Sequence, residues 1–148
     1  MFKRILVAVD GSSTSKRAFA EAMQIARESQ SVINVVFVVD TFHAFPDVEV
    51  ISVEELVASI REEGLVILQE ATDQLESASI PYESKLLETN EHQKRIAEAI
   101  VAESERWPAD LIILGTHGRR GFSRFVLGSV AESICRIASK PLLLIRGE

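Results

Sequence analysis

Gly115, Gly118, Gly128 and Ser129 stand at the spacing Gly-x2-Gly-x9-Gly-Ser, directly behind an apolar run at residues 111–114 and directly ahead of a stretch carrying Val130, Ile134 and Ile137 at helical spacing. Glycine accepts positive φ and lets a bulky anion come close to the chain, so successive N–H groups can converge on phosphate oxygens. The first N–H groups of a following helix, with the positive end of its dipole, suit the same anion. A helix running unbroken from Ser123 would carry Gly128 in its interior at about 1 kcal/mol. A start at Ser129 avoids that and gains a serine cap worth about 1 kcal/mol, with Glu132 at capping-box spacing. The sequence therefore predicts a helix that starts at Ser129, with that serine capping it beside the phosphates.

Between Gly115 and Val130 there is no acidic residue, while His117, Arg119, Arg120 and Arg124 make this the one strongly basic segment of an acidic chain. It reads either as an anion attractor, with those four side chains adjacent to phosphate, or as a solvated basic loop. An isolated Gly-x2-Gly often does no more than shape a surface connection. The longer pattern, set between strand and helix, favours a ligand.

The elements that must position this loop follow from apolar periodicity. Residues 5–9, 32–39 and 111–114 are near-continuous apolar runs rich in β-branched residues, the pattern of strands buried on both faces. Residues 82–87 alternate more weakly, and residues 142–145 form a fifth candidate with Pro141 just ahead, where a missing N–H does least harm. Helical stripes lie between them. Ala18, Ala22, Ile25 and Ala26 follow a Ser/Thr cluster at residues 12–15; Val53, Leu56, Val57, Ile60, Ile67, Leu68, Ala71 and Leu75 follow a capping box at Ser52, despite Gly64; Ile96, Ala99 and Ile100 mark residues 94–105. The order β-α-β-α-β-α-β-α-β implies right-handed crossovers onto a parallel sheet covered by helices on both faces, an α/β doubly wound, Rossmann-like fold. Such sheets take ligands outside the carboxyl ends of the strands, where the strand order reverses.

Length and composition set the frame. With 148 residues and 47% apolar content, one domain spanning 1–148 can bury a core without metals or disulfides. A net charge of −6 disfavours nucleic acid as a general partner. Cys135 is the only cysteine, which fits a reducing compartment and reads as a small core residue. The apolar run at residues 5–9 is shorter than a signal-peptide core, and no run approaches a membrane span, so a soluble, cytoplasmic protein without membrane partners is expected.

Beyond these readings the sequence resembles the universal stress protein family, whose ATP-binding members carry the same Gly-x2-Gly-x9-Gly-Ser/Thr pattern. The likeness runs from ILVAVDGS at residues 5–12, through VVD at 38–40, to LGSVAE at 127–132 and PLLLI at 141–145. It implies a five-stranded sheet of order 3-2-1-4-5 and a regulatory, stress-response protein that binds ATP, or ADP or AMP, with Mg2+ as a companion ion. By the same resemblance Ala8, Val9, Asp10 and Val38 line the adenine and ribose region. Gly115, Gly118, Gly128 and Ser129 line the ribose and phosphates, with Val130 adjoining. Asp10 is open to a second reading as a turn or cap residue. The resemblance also implies a homodimer through residues 142–145, an apolar strand that would otherwise be a bare sheet edge. One departure is plain: many relatives carry a glycine after the third strand, whereas LETNE at 87–91 has none. Residues 40–51, with Phe42, His43, Phe45 and Pro46, suit either covering a nucleotide or facing a partner.

Other functions fit less well. A weak ATPase is the alternative within the family, with no catalytic residue identified, since phosphoryl transfer wants a positioned base and metal carboxylates. A non-nucleotide-binding interaction module of the same fold is another. No P-loop or dinucleotide fingerprint occurs. A phosphoacceptor receiver would need paired acids after strand one, where Asp10 stands alone, and a flavodoxin-like carrier would be coloured by its flavin.

Overall fold

Along the chain strands and helices alternate: Arg4–Ala8 (β1), Ser13–Ser29 (α1), Val32–Val39 (β2), Val53–Ser77 (α2), Tyr82–Glu88 (β3), Ile96–Arg106 (α3), Leu111–Gly115 (β4), Ser129–Ile137 (α4) and Leu142–Ile145 (β5). These elements come from a computed structural model, which describes residues 1–41, 52–118 and 127–147. The strands form one parallel sheet in the order β3-β2-β1-β4-β5. Ile5 stands opposite Ile33 on one side and Leu111 on the other, so the most apolar strands occupy the middle. The chain winds outward in opposite directions from β1 and β4, which makes their carboxyl ends the switch point.

Successive side chains of a strand point to opposite faces, and the core divides accordingly. Ile5, Val7, Ile33, Val35, Phe37 and Ile113 pack with Phe19, Ala22, Leu68 and Leu75 of α1 and α2. Leu6, Val36, Ile112 and Leu114 pack with Ala97, Ile100, Ala131 and Ile134 of α3 and α4. Gly64, a weak point on propensity alone, has a packing reason: a Cβ there would come within 2.5 Å of the Phe37 ring and 2.8 Å of Leu86 Cδ1. Its absence lets α2 lie close on β2 and β3. No helix among the described residues is long and apolar enough to cross a membrane.

At the amino edge of the sheet the polar groups pair with one another. Glu103 of α3 is only 3% exposed, and it accepts from Asn34 Nδ2 at 3.1 Å, Lys85 Nζ at 3.2 Å and Arg106 Nε at 2.9 Å. Burial alone would push this carboxyl up; the hydrogen bonds from Arg106, Lys85 and Asn34 outweigh it and hold the group below its ordinary value. Nearby the Arg4 guanidinium lies 4.1 Å from the centre of the Trp107 ring. The apolar reading of residues 32–39 gave no place to Asn34, which docks α3.

Two expectations about α4 are corrected. Cys135 is exposed rather than a core residue, because it follows the buried Ile134 by one residue and so points about 100° away around the helix. Ile137, expected on the apolar stripe, is 46% exposed; it ends the helix, and the chain turns extended at Ala138.

Candidate functional site

Two loops leave the sheet at the switch point, and each leads into a helix. After β1, Gly11 turns the chain with φ of 85°. The Asp10 carboxylate then accepts from the Ser12 N–H at 2.8 Å, the Asp10 N–H donates to Ser15 Oγ at 3.0 Å, and the Ser15 N–H donates to Ser12 Oγ at 3.2 Å. Asp10 thus has the local turn role that its residue type favours. Ser12 caps α1, and the chain's own side chains occupy the start of that helix.

The loop after β4 is built differently. The Thr116 N–H donates to Ile145 O at 2.9 Å, at the end of β5, and Thr116 O accepts from the Gly128 N–H at 2.8 Å, closing the loop at its neck. A Cβ on Gly128 would lie 2.7 Å from Thr116 O, so only glycine permits that closure. The Gly128 carbonyl already accepts from the Glu132 N–H at 2.9 Å, the first bond of α4. Gly128 is therefore the N-cap and makes no side-chain cap bond. The expectation that Ser129 caps the helix is corrected: Ser129 is the first helical residue, and it is exposed.

The two loops meet. A Cβ on Gly118 would come within 2.8 Å of Asp10 Oδ2, so the exposed Gly118 backbone lies against the Asp10 carboxylate. Gly115 packs on Thr14 of α1, where a Cβ would be 2.6 Å from Thr14 Cγ2. Ala8, Val38 and Val130 are half-buried and face the same layer, beside Leu127 and Leu144. Val9 points into the opposite core, so its side chain does not join them. His117 is half-buried, with Nδ1 2.9 Å from Thr116 Oγ1. Arg119, Arg120, Arg124 and residues 42–51 lie outside the described residues.

Sequence reasoning missed Thr116, whose two backbone bonds hold the loop, and Thr14, which fills the space beside Gly115. Neither residue type carries a signal of its own. The Gly147 backbone also reaches Thr14, where a Cβ would be 2.8 Å from Oγ1, and Arg17 Nη1 donates to Arg146 O at 2.9 Å. Open hollows of about 370 and 390 Å3 lie elsewhere, at the carboxyl ends of α1 and α2 around Arg27 and Ala78. Their linings share no residue with these loops. Among the described residues no three His, Cys, Asp or Glu side chains gather to hold a metal.

Fold and loops together define a class: a Rossmann-like α/β chain with a closed glycine loop at the switch point of its sheet. Within that class the chain belongs to the universal stress protein family, whose profile matches residues 1–146. It is similar to a universal stress protein of Methanocaldococcus jannaschii, with 31% identity over 99% of this chain and 83% of that one. Among solved structures it is similar to a family member from Burkholderia pseudomallei, with 29% identity, a TM-score of 0.77, and 97% and 95% of the two chains covered. The same fold recurs in a universal stress protein in complex with cAMP, at 24% identity and a TM-score of 0.70 over 97% of each chain. It recurs again in an Arabidopsis thaliana family member with AMP bound, at 19% identity and a TM-score of 0.67 over 99% and 92%.

Proposed function

We propose that this protein binds an adenine nucleotide, ATP foremost with ADP and AMP as related ligands, in the crevice between the carboxyl ends of β1 and β4. The observation that carries the reading is the meeting of Gly118 with Asp10 in front of a helix whose N-cap is a glycine. Gly115, Gly118, Gly128 and Ser129 would serve the ribose and phosphates. Ala8, the Val9 backbone, Asp10 and Val38 would serve the nucleoside, with Val130 adjoining. Two proteins of this fold solved with cAMP and with AMP support the ligand class.

Mg2+ keeps several waters and binds through phosphates with one or two carboxylates. Asp10 is a carboxylate within reach of the loop, and the ion would arrive on the nucleotide. The role is regulatory, in the cytoplasm, with the nucleotide favouring one conformational or assembly state. The half-buried edge strand Leu142–Ile145 suits pairing with a second copy of the chain.

The test is chromatography of the acid supernatant of purified protein, followed by calorimetric titration of ATP into wild type and Gly118→Leu. Co-purified or titrated adenine nucleotide in wild type, lost in a folded Gly118→Leu, is expected. Equal affinity in both would reject the site, and turnover at a steady rate would reassign the protein as an enzyme.

A further inference from the structure

The loop after β3 has no glycine in LETNE at residues 87–91, and a threonine within it is buried. Thr89 is 4% exposed. Its N–H continues the ladder to Val39 O at 3.0 Å, and its hydroxyl accepts from the Thr41 N–H at 2.7 Å. The Thr41 hydroxyl in turn donates to Thr89 O at 3.0 Å and lies 3.0 Å from Thr89 Oγ1. Beyond Thr89 the β3 chain curls into a turn, with Asn90 Oδ1 accepting from the His92 and Gln93 N–H groups at 2.8 Å each. At this point the Thr89 carbonyl is taken by the Thr41 hydroxyl rather than by the Thr41 N–H. The Thr89 side-chain oxygen takes that N–H, and the pair ties the chain just past β2 to the end of β3.

The length of β2 matters because β1 stops earlier. Ala8 pairs with Val36 and the Val9 N–H still reaches Val36 O at 2.9 Å, but the Asp10 N–H has already turned to Ser15. β2 runs on to Val39, three residues past that last pair and still paired with β3, and the Thr89 bonds fix the bend at Thr41 that follows. The overhang forms a wall beside Asp10. Its half-buried Val38 faces the α3 and α4 layer with Ala8 and Val130, so a flat, weakly polar group could lie on it.

We propose that Thr89 is a positioning residue for the nucleoside end of the ligand, holding the β2 overhang that the base lies against. This rests on the nucleotide-binding reading above. Because the phosphates would lie at Gly128 and Ser129, a defect in the overhang should be felt equally by a ligand with phosphates and one without.

The experiment titrates ATP and adenosine separately into wild type, Thr89→Val, which keeps the shape and removes the hydroxyl, and Thr89→Ser, which restores it. Loss of one such bond network is expected to weaken both ligands by the same factor, about fivefold to tenfold, with Thr89→Ser close to wild type. Should Thr89→Val fail to fold, Thr41→Val, which removes only the partner hydroxyl, is expected to weaken both ligands equally by a smaller factor. Unchanged affinity in folded Thr89→Val, or in Thr41→Val where it stands in, a loss confined to ATP, or a wild type that binds ATP without measurable adenosine affinity would each overturn the assignment and leave the nucleotide reading standing. A wild type that binds neither would overturn both.

Discussion

The helices α1 and α4 start at the same edge of the sheet, beside loops that touch at Asp10 and Gly118, yet α1 is capped by the side chain of Ser12 and α4 by a glycine, which has none. The ring of Asp10, Ser12 and Ser15 satisfies N–H groups that would otherwise face solvent or a ligand. At α4 the cap is a glycine whose own N–H and carbonyl are spent on closing the loop and opening the helix. The contrast separates two uses of one geometry. A side-chain cap answers helix donors from within the chain and stabilises the fold, whereas a glycine cap brings no side chain of its own to the helix start. The amino edge follows the first use, with Glu103 answered by three partners.

The contrast can be broken most severely at Gly128. Gly128→Asp places a Cβ 2.7 Å from Thr116 O and a negative charge where phosphate is expected. ATP affinity should fall at least ~100-fold, roughly 2.8 kcal/mol, by calorimetric titration. At the amino edge, Glu103→Gln should lower stability by about 1–3 kcal/mol near neutral pH and leave ATP affinity unchanged. The folded carboxyl is held below its ordinary value of 4.5, so its contribution is fully present above that value and is lost as pH falls through the lower, folded one. Denaturant melts between neutral and acid pH should therefore show a steeper acid loss in wild type than in Glu103→Gln; parallel curves would remove Glu103 from the account. The smallest effect is expected from Ser12→Ala, about 1 kcal/mol of stability with ATP affinity within about twofold, since one lost cap bond is worth little to a ligand held elsewhere. If Ser12→Ala and Gly128→Asp weakened ATP alike, the two helix starts would not differ in the way described.

Much of this arrangement was legible in the residues, for identifiable reasons. β1, β2 and β4 are apolar without alternation, and only strands buried on both faces tolerate that, so their burial and parallel pairing followed directly. The glycine spacing pointed to the loop because three positions reject a Cβ in the structure, at Thr14, Asp10 and Thr116. What stayed hidden depends on contacts across long sequence separations. Nothing near Thr89 announces that it ties Thr41 to the end of β3, and nothing in an apolar run announces that Asn34 will meet a glutamate on α3. Ser129 misled because a serine followed by Glu132 fits a capping box by spacing alone, whereas the Thr116 bond draws the chain into the helix one residue sooner. Cys135 and Ile137 misled because α4 offers only Ala131 and Ile134 to the core.

The short stretch from Ile145 to Gly147 bears on three places at once: Ile145 anchors Thr116, the Arg146 carbonyl is gripped by Arg17, and Gly147 abuts Thr14. A fusion, trimming or cleavage at those residues would loosen the glycine loop from behind without touching any group that faces a ligand. Recombinant versions altered there should be compared for affinity with versions altered ahead of β1 before any weakness is blamed on the crevice.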